Sequence, residues 1–464
     1  MAAHTYRAWL VDHAGLTVWN AQWYGGHHWL GYSVLFAPLA GWPGPAWAGV
    51  LASLAAVACF EALAAGPPAW LFAAGVVANV VIGRMPFVLG IALATAAWLC
   101  ARDERPPRLA GAAALSLAAT LASPVAGAFL LLCAVARGGG RRVAALGAPV
   151  VAAIAAVTLL FPEGGDDRFV ATAFWPMLAL SAAGVALLAP RRPLLLGGAL
   201  YLAVLAGSFL VPNPFGQNAL RLGVLLGPAL LVLAPRPGAP RAAIGFVLAA
   251  LLYLQWLPAV RAVAEAGGDR STQAAFYVGV RPFLERAVRP GERVEVAFTH
   301  NHWEVAHLAP AVPLARGWER QLDIKTNPLF YDDAPLTPER YHAWLRENAI
   351  RWVALPNADL DYSAEAEARL LRRGAPFLRP AYASRGWRVW EVRDATPPAT
   401  GGARITAAAP DGFSVRTSGP TVVRQRWTRY WHADGARLSE APGGWTRVAP
   451  ERPGPIRVRA RFSL

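Results

Sequence analysis

Charge is distributed unevenly along this chain, and no other feature restricts its fold as strongly. Residues 1–260 carry 14 Arg and 7 Asp or Glu, whereas residues 261–464 carry the other 30 basic and 22 acidic residues. A water-soluble core cannot hide so long a stretch with so few charges. A bilayer can, because each helix satisfies its own backbone hydrogen bonds and turns its side chains to lipid. The pattern predicts an α-helical polytopic membrane bundle followed by a large extramembrane region.

Apolar blocks at 46–64, 69–83, 86–101, 109–122, 124–136, 143–161, 169–189, 194–210, 218–234 and 242–258 predict about ten short spans. Several fall below the ~20 residues of a straight crossing. Residues 109–136 are too long for one, and Ser123-Pro124 in their middle predicts a hairpin of two short helices. The linkers set the orientation. Arg102, Arg105, Arg108, Arg137, Arg141, Arg142, Arg191, Arg192, Arg236 and Arg241 occupy one set, while the alternate linkers 162–168 and 211–217 hold Arg168 alone. Ten arginines against one is a strong positive-inside signal. It makes the chain a multi-pass protein of the cell membrane and places both the tail and residues 1–44 outside the cytoplasm. An external N-terminus that no span precedes either translocates unaided or follows a further helix upstream of Met1, and the further helix is the expectation.

The net charge of +15 invites a nucleic-acid reading, but 43 of the 44 basic residues are Arg and only Lys325 is Lys, as a GC-rich codon bias produces. No basic run is interleaved with aromatics, so nucleic acid is not an expected partner. Cys59, Cys100 and Cys133 all lie in apolar blocks and read as small hydrophobes. P-loop, dinucleotide-binding, HExxH and serine-elbow patterns are absent.

Residues 1–44 form a segment of their own. Ala2–Ala14 predict a short amphipathic helix stopped at Gly15, with Tyr6, Trp9 and Leu10 in the membrane interface and His4, Arg7 and Asp12 facing water. Trp19, Trp23, Tyr24, Trp29, Tyr32 and Trp42 follow at high density. An aromatic belt at headgroup level accounts for the tryptophans. It does not account for Asn20, Gly25-Gly26 or His27-His28, which suit a sugar or phosphate site: flat faces, short donors and close backbone approach.

The run Gly15, Leu16, Trp19, Asn20, Trp23, Tyr24, Gly25, Gly26, Tyr32, Ser33, Leu35, Phe36, Pro38 and Leu39 resembles the first extracytoplasmic loop of the GT-C class of bacterial membrane glycosyltransferases and their uncharacterised relatives. The resemblance implies a bundle of about eleven helices, a polyprenyl-phosphate-linked sugar donor, a glycan or lipid acceptor and an extracytoplasmic C-terminal domain. It also implies an acidic catalytic residue at the end of the first helix, a position that would precede Ala2. Asp12 is the one carboxylate left in this segment as a catalytic candidate.

Two arginines stand apart from the basic linkers. Arg84 lies at the outer end of a helical hairpin, and Arg221 lies one turn inside the outer surface, with Asn218 one turn before it. Either they snorkel to outer headgroups, or their guanidinium forks hold the phosphate of the donor, with Gln217 and Asn218 adding neutral donors. The N-x-x-R-L pattern at this place is also familiar from the resembling proteins. Glu61, near the cytoplasmic end of its helix, reads as snorkelling.

The tail divides further. Residues 270–289 predict an amphipathic helix, 293–298 a strand, 338–348 a helix opened by Thr337-Pro338, 351–355 a strand, 364–373 a helix capped by Ser363, and 387–392 a strand. This order argues an α/β domain. Beyond residue 400, short alternating strands between Gly, Pro and Asp turns read as a β-sandwich, with Leu464 closing the last strand. The expected domains are the loop 1–44, the bundle 45–260, the α/β domain 261–398 and the β-sandwich-like domain 399–464.

Residues 300–333 lack regular periodicity yet are rich in chemistry: His300, His302, Glu304, His307, Arg316, Glu319, Arg320, Asp323, Asp332 and Asp333. Three readings compete. On a strand, His300, His302 and Glu304 would point one way and, with His307, bind a divalent cation such as zinc. A packed loop would pair its charges around Trp303, Trp318, Phe330 and Tyr331. A lid would bring Glu304, Arg316, Glu319, Arg320 and Asp323 over the membrane site to donor or acceptor. No cofactor is required by any other feature. The function expected is sugar transfer from a polyprenyl phosphate at the outer leaflet, with a carboxylate base, Arg84 and Arg221 on the leaving phosphate, and Trp19, Trp23 and Tyr24 stacking the sugar. A non-catalytic membrane protein that binds envelope glycans or lipids is the alternative.

Overall fold

A computed structural model of the chain describes residues 1–462; the expected strand closure at Leu464 lies outside them. The described residues form two compact units, one of Met1 with Leu30–Gly267 and one of Ala2–Trp29 with Gly268 onward.

The first unit is helical throughout. Each of the ten apolar blocks carries a helix: Gly44–Leu63, Pro67–Val81, Met85–Cys100, Pro106–Ala122, Pro124–Arg137, Gly140–Leu160, Ala171–Leu187, Arg192–Leu210, Leu220–Leu233 and Arg241–Gly268. Five stretches are long and apolar enough to cross a membrane: 44–63, 140–160, 192–210, 216–233 and 241–268. Four shorter apolar helices accompany them. Proline opens many of these helices at a position whose N–H has no intrahelical partner, as at Pro67, Pro86, Pro106 and Pro124. The hairpin forms where expected, and the Ser123 hydroxyl caps its second helix by accepting from the Ala126 N–H. The last helix runs ten residues past its expected end, through Pro258. Aromatic stacks such as Phe60 on Phe72 and Phe174 on Phe209, both 4.0 Å between centroids, fill the interior. Trp42 is 97% exposed and Trp70 and Trp175 are exposed as well, as membrane-interface residues would be.

The second unit contains one mixed sheet and two antiparallel ones. β1 (Arg293–Val296), β2 (Ile350–Pro356), β3 (Leu378–Ala383) and β4 (Trp387–Val392) take the order β1-β2-β4-β3, with β1 and β2 parallel and the other pairs antiparallel. Helices Pro338–Glu347 and Glu365–Arg373 connect these strands and bury Tyr341, Trp344, Leu345, Ala368 and Leu371 in the core of this sheet. The amphipathic helix expected over 270–289 is broken instead. Two 3-10 turns precede a helix of Val280–Ala287, because the Asp269 carboxylate takes the Ser271 N–H and hydroxyl and holds the chain in a turn. Ser363 does not cap its helix; the Asp361 carboxylate, two residues earlier, accepts the Ser363 N–H.

The remaining strands are β5 (Arg404–Ala409), β6 (Gly412–Thr417), β7 (Thr421–Arg426), β8 (Trp431–Ala433), β9 (Ala436–Ala441), β10 (Trp445–Pro450) and β11 (Gly454–Ala460). They form a three-stranded sheet β7-β10-β9 and a four-stranded sheet β5-β6-β11-β8. Burial alternates along β7, so one of its faces is buried and the other is not.

Candidate functional site

In the helical unit, two connecting segments and one helical hairpin turn converge on a polar cluster. Residues 211–219 and 161–170 are tied by the Asp167 N–H to the Asn213 carbonyl at 3.0 Å and by the Asn218 amide to the Asp167 carboxylate at 3.0 Å. Gly216 makes this approach possible: φ is +41°, and a Cβ there would overlap the Asp167 backbone. Arg221 follows on the first turn of its helix, with its guanidinium 5.2 Å from the Phe87 ring and its buried Nε without a hydrogen-bond acceptor. Arg84, at the N-cap of the helix that carries Phe87, donates to the Asn79 side chain at 3.4 Å. The Arg84 and Arg221 charges act on one another, and both feel Tyr32 and Asp167. Burial lifts the Asp167 carboxyl above the usual carboxylate range, against the pull of the Arg221 charge.

Arg84, Asn218 and Arg221 are thus brought together. Asp167 and Asn79 were not legible as site residues. The loop PEGGDDR entered the sequence reading only through its charge, although an acidic pair in the linker before Asn-x-x-Arg was the available signal.

The N-terminal aromatic segment occupies a different place. Residues 2–29 belong to the second unit, and the helix Ala2–Ala14 packs against the short helix Glu304–His307. The expected interfacial helix is corrected here: His4 and Arg7 do not face water but are buried with Tyr6 and Leu10, because protein covers that face of the helix. Arg7 forms an ion pair with Glu319. Asp12 is exposed near the end of the helix.

Trp19, Asn20, Trp23, Tyr24, His27 and His28 are all buried. The Tyr6 hydroxyl donates to Asn20 at 2.7 Å, the Asn20 amide meets His27 at 2.9 Å, and His28 meets Thr428 at 3.0 Å. The Tyr24 hydroxyl donates to the Gly317 carbonyl at 2.5 Å. Both large indoles are covered by protein: Trp23 stacks on Tyr6 at 4.4 Å, and Trp19 meets Trp431 edge-on at 5.6 Å. Tyr24, Gly25 and Gly26 have φ of +57°, +74° and +119°, and a Cβ at Gly26 would lie 2.5 Å from the Trp19 ring. The glycine pair therefore serves a close packing of chain on indole.

The 300–333 segment is an ordered network. Arg316 is buried between Phe298 and Phe330, 4.0 and 3.9 Å from their centroids, and donates to Asp323 through Nε at 3.1 Å and Nη2 at 2.6 Å. Buried Glu295 and Glu367 lie 3.6 and 4.0 Å from its Nη1. Desolvation pushes Glu295 well above the carboxylate range and Glu367 up to about 7. Arg320 forms a bidentate pair with Asp361 at 3.0 and 2.5 Å. Glu304 accepts from the Thr299 hydroxyl at 2.5 Å.

The strand that would align His300, His302, Glu304 and His307 does not form, since 304–307 are helical. His302 stacks on Trp318 at 3.6 Å while His307 lies against Tyr277 at 4.6 Å, so the two imidazoles have separate partners. Among the described residues no group of three or more His, Cys, Asp or Glu is arranged to hold a metal ion.

No protein-family model matches the sequence, and no curated protein is significantly similar to it. Solved structures are similar to this one. The arabinofuranosyltransferase AftD from mycobacteria is 16% identical over 90% of this chain, with a TM-score of 0.46. ArnT from Cupriavidus metallidurans is 12% identical over 86% of this chain and 94% of its own, with a TM-score of 0.44. This chain spans 39% of the length of AftD. At these scores the likeness is a partial one of fold.

Proposed function

We propose that this chain is a membrane glycosyltransferase of GT-C type that takes a polyprenyl-phosphate-linked sugar at the outer leaflet and passes it to a glycan or lipid acceptor. The observation that carries the reading is the cluster of Arg84, Arg221, Asn218 and Asp167 in the helical unit. Two guanidinium groups share a small volume with a single carboxylate. A phosphate is the ligand such an excess of forked cationic donors suits. Arg221 in particular keeps a buried Nε with no acceptor. An apolar cavity of about 270 Å³ has Leu222 and Gly223, the residues after Arg221, in its lining, together with Met177, Tyr201, Leu226, Leu251 and, from the basic linkers, Arg137. Its chemistry suits an isoprenoid chain.

Asp167 is the carboxylate we assign as base. Burial raises the Asp167 carboxyl pKa, the direction that makes it a stronger proton acceptor for an acceptor hydroxyl, while Arg84 and Arg221 stabilise the charge growing on the leaving phosphate. Asp12 is the other carboxylate candidate. His4, Arg7, Trp19, Asn20, Trp23, Tyr24, His27 and His28, together with Glu304, Arg316, Glu319, Arg320 and Asp323, shape the extramembrane unit in this reading.

Topology supports the outer location. Residues 2–29 fold with the chain beyond residue 268, so the intervening chain crosses the membrane an even number of times. About ten crossings satisfy this, and the arginine asymmetry supports a location outside the cytoplasm for both segments.

Affinity for decaprenyl phosphate in detergent micelles tests the reading. A charge-assisted hydrogen bond contributes ~1.5–3 kcal/mol, so loss of the two-bond fork in Arg221→Ala should weaken binding roughly 100-fold or more. Arg221→Lys keeps the charge without the fork and should lose about tenfold. Equal affinity in wild type and Arg221→Ala would make Arg221 a headgroup anchor and end the reading.

A further inference from the structure

A second concentration of guanidinium groups lies in the second unit, beside Gly25 of the aromatic segment, whose carbonyl accepts from the Arg426 N–H. Arg293, Arg424 and Arg426 surround one indole, Trp445, with Cζ-to-centroid distances of 5.7, 5.4 and 4.1 Å. Among the described residues none of the three has a carboxylate within ion-pair distance. Like charges this close oppose one another, and burial together with Arg426 and Arg424 pushes the Arg293 guanidinium down to about 9.

Two of the three are committed to backbone. Arg293 donates to the Asn348 carbonyl at 2.6 Å, the end of helix Pro338–Glu347, and to the Arg424 carbonyl. Arg426 donates to the Gly443 carbonyl at 2.8 Å. Arg424 is different. Among the described residues its guanidinium has no hydrogen-bond acceptor, and its Nε is buried. It lines an open groove of about 350 Å³ together with Ala343, Arg346, Glu347 and Thr396. Arg346, on the helix that forms the other wall, reaches Asp394 only at 3.8 Å, and that carboxylate is already held by His342 at 2.7 Å.

We propose that this groove binds an oxyanion, a carboxylate or a phosphate ester, carried by a hydroxyl-rich ligand of the acidic-sugar kind. The Arg424 fork takes the anion and Arg346 closes on it from the opposite wall. Glu347 and Thr396 accept and donate to the ligand hydroxyls, which makes the site selective for an anion that carries them. A bound anion also offsets the mutual repulsion of the three guanidinium groups around Trp445. The site lies wholly within the extramembrane unit and does not rest on sugar transfer by the helical unit.

The test is calorimetric titration of the full chain in detergent micelles with glycerol 1-phosphate, glucuronate and glycerol at constant ionic strength. Wild type should bind one or both anions and not glycerol. Preference for the phosphate ester identifies a phosphorylated source, and preference for glucuronate identifies a uronate. Arg424→Gln should weaken binding at least tenfold with the near-ultraviolet tryptophan signal intact, and Arg424→Lys should fall between. If Arg424→Gln does not fold, Arg346→Gln on the exposed wall should still lower the affinity. Absence of binding by either anion, or equal affinity in wild type and the folded Gln variants, would overturn the proposal.

Discussion

Replacing Arg316 by Leu would expose how the second unit manages its buried charge. The guanidinium makes two charge-assisted bonds to Asp323 and lies within 4.0 Å of carboxylate oxygens of Glu295 and Glu367, all three acids being essentially inaccessible to water. Leucine keeps the contact with Phe298 and Phe330 but leaves the carboxyls without their cation. Breaking a buried pair by removing one partner costs ~3–5 kcal/mol. The cost should depend on pH, and its sign follows from the carboxyls. Glu295 and Glu367 have raised pKa values in the folded protein. The stability they confer is therefore fully present below the ordinary glutamate range, near 4.3, and is lost as pH rises through their folded values, about 7 for Glu367.

Without Arg316 those values rise further, so the loss steepens by up to about 1.4 kcal/mol per pH unit for each additional proton the folded state keeps. Hydrogen exchange of the β1 and β2 amides in the full chain reads this as a local opening free energy. Arg316→Leu should lower it by ~3–5 kcal/mol at pH 8 and by clearly less at pH 5. An unchanged opening energy at pH 8, or a penalty that grows on acidification, would refute the reasoning.

Glu367→Gln removes one of the crowded acids and leaves the Tyr341 hydroxyl an acceptor, where it now donates at 2.6 Å. It should raise the melting temperature at pH 8 by roughly 2–4 °C per kcal/mol recovered, with no gain at pH 5, as scanning fluorimetry would record. Gly26→Ala adds a Cβ that meets the Trp19 ring in a left-handed backbone, and should cost ~2 kcal/mol or more with loss of near-ultraviolet tryptophan dichroism. Reporters fused after Arg192 or Arg241 should behave as cytoplasmic, and those after Asp167 or at Leu464 as extracytoplasmic. A cytoplasmic signal at Leu464 would reverse the orientation.

The helical unit was legible because lipid-facing helices announce themselves by composition alone: ten apolar blocks became ten helices, and the Ser123-Pro124 break became a capped hairpin. Arg84, Asn218 and Arg221 could be singled out because a polar residue in such a block is costly. Asp167 could not, since its meaning depends on which loop it touches, and Gly216 in a segment fifty residues away decides that. The same limit explains the aromatic segment. Trp19, Trp23 and Tyr24 look alike whether they wait for a sugar or fill a core, and only the long-range contacts with Trp431 and Gly317 distinguish the two. Arg7 looked water-facing because its partner, Glu319, stands more than 300 positions along the chain. β3 was missed for a plainer reason: only Leu378 of its six residues is buried, so neither face carries the apolar alternation that marks a strand.

The discontinuity of the second unit has a consequence for biosynthesis. The Ala21 N–H donates to the Pro410 carbonyl, and the Gln22 and Gly25 carbonyls accept from the Leu314 and Arg426 N–H groups. At ~5–20 residues per second, the ribosome needs roughly 10–50 s to travel from residue 29 to residue 268, and longer still to deliver those partners. During that interval a segment with four tryptophans, Trp9, Trp19, Trp23 and Trp29, has none of the surroundings that later cover it. Folding of this unit thus waits for the chain beyond residue 268. A tail produced alone from residue 268 would expose the cleft that residues 2–29 fill, and supplying that segment as a separate peptide is the natural way to restore it.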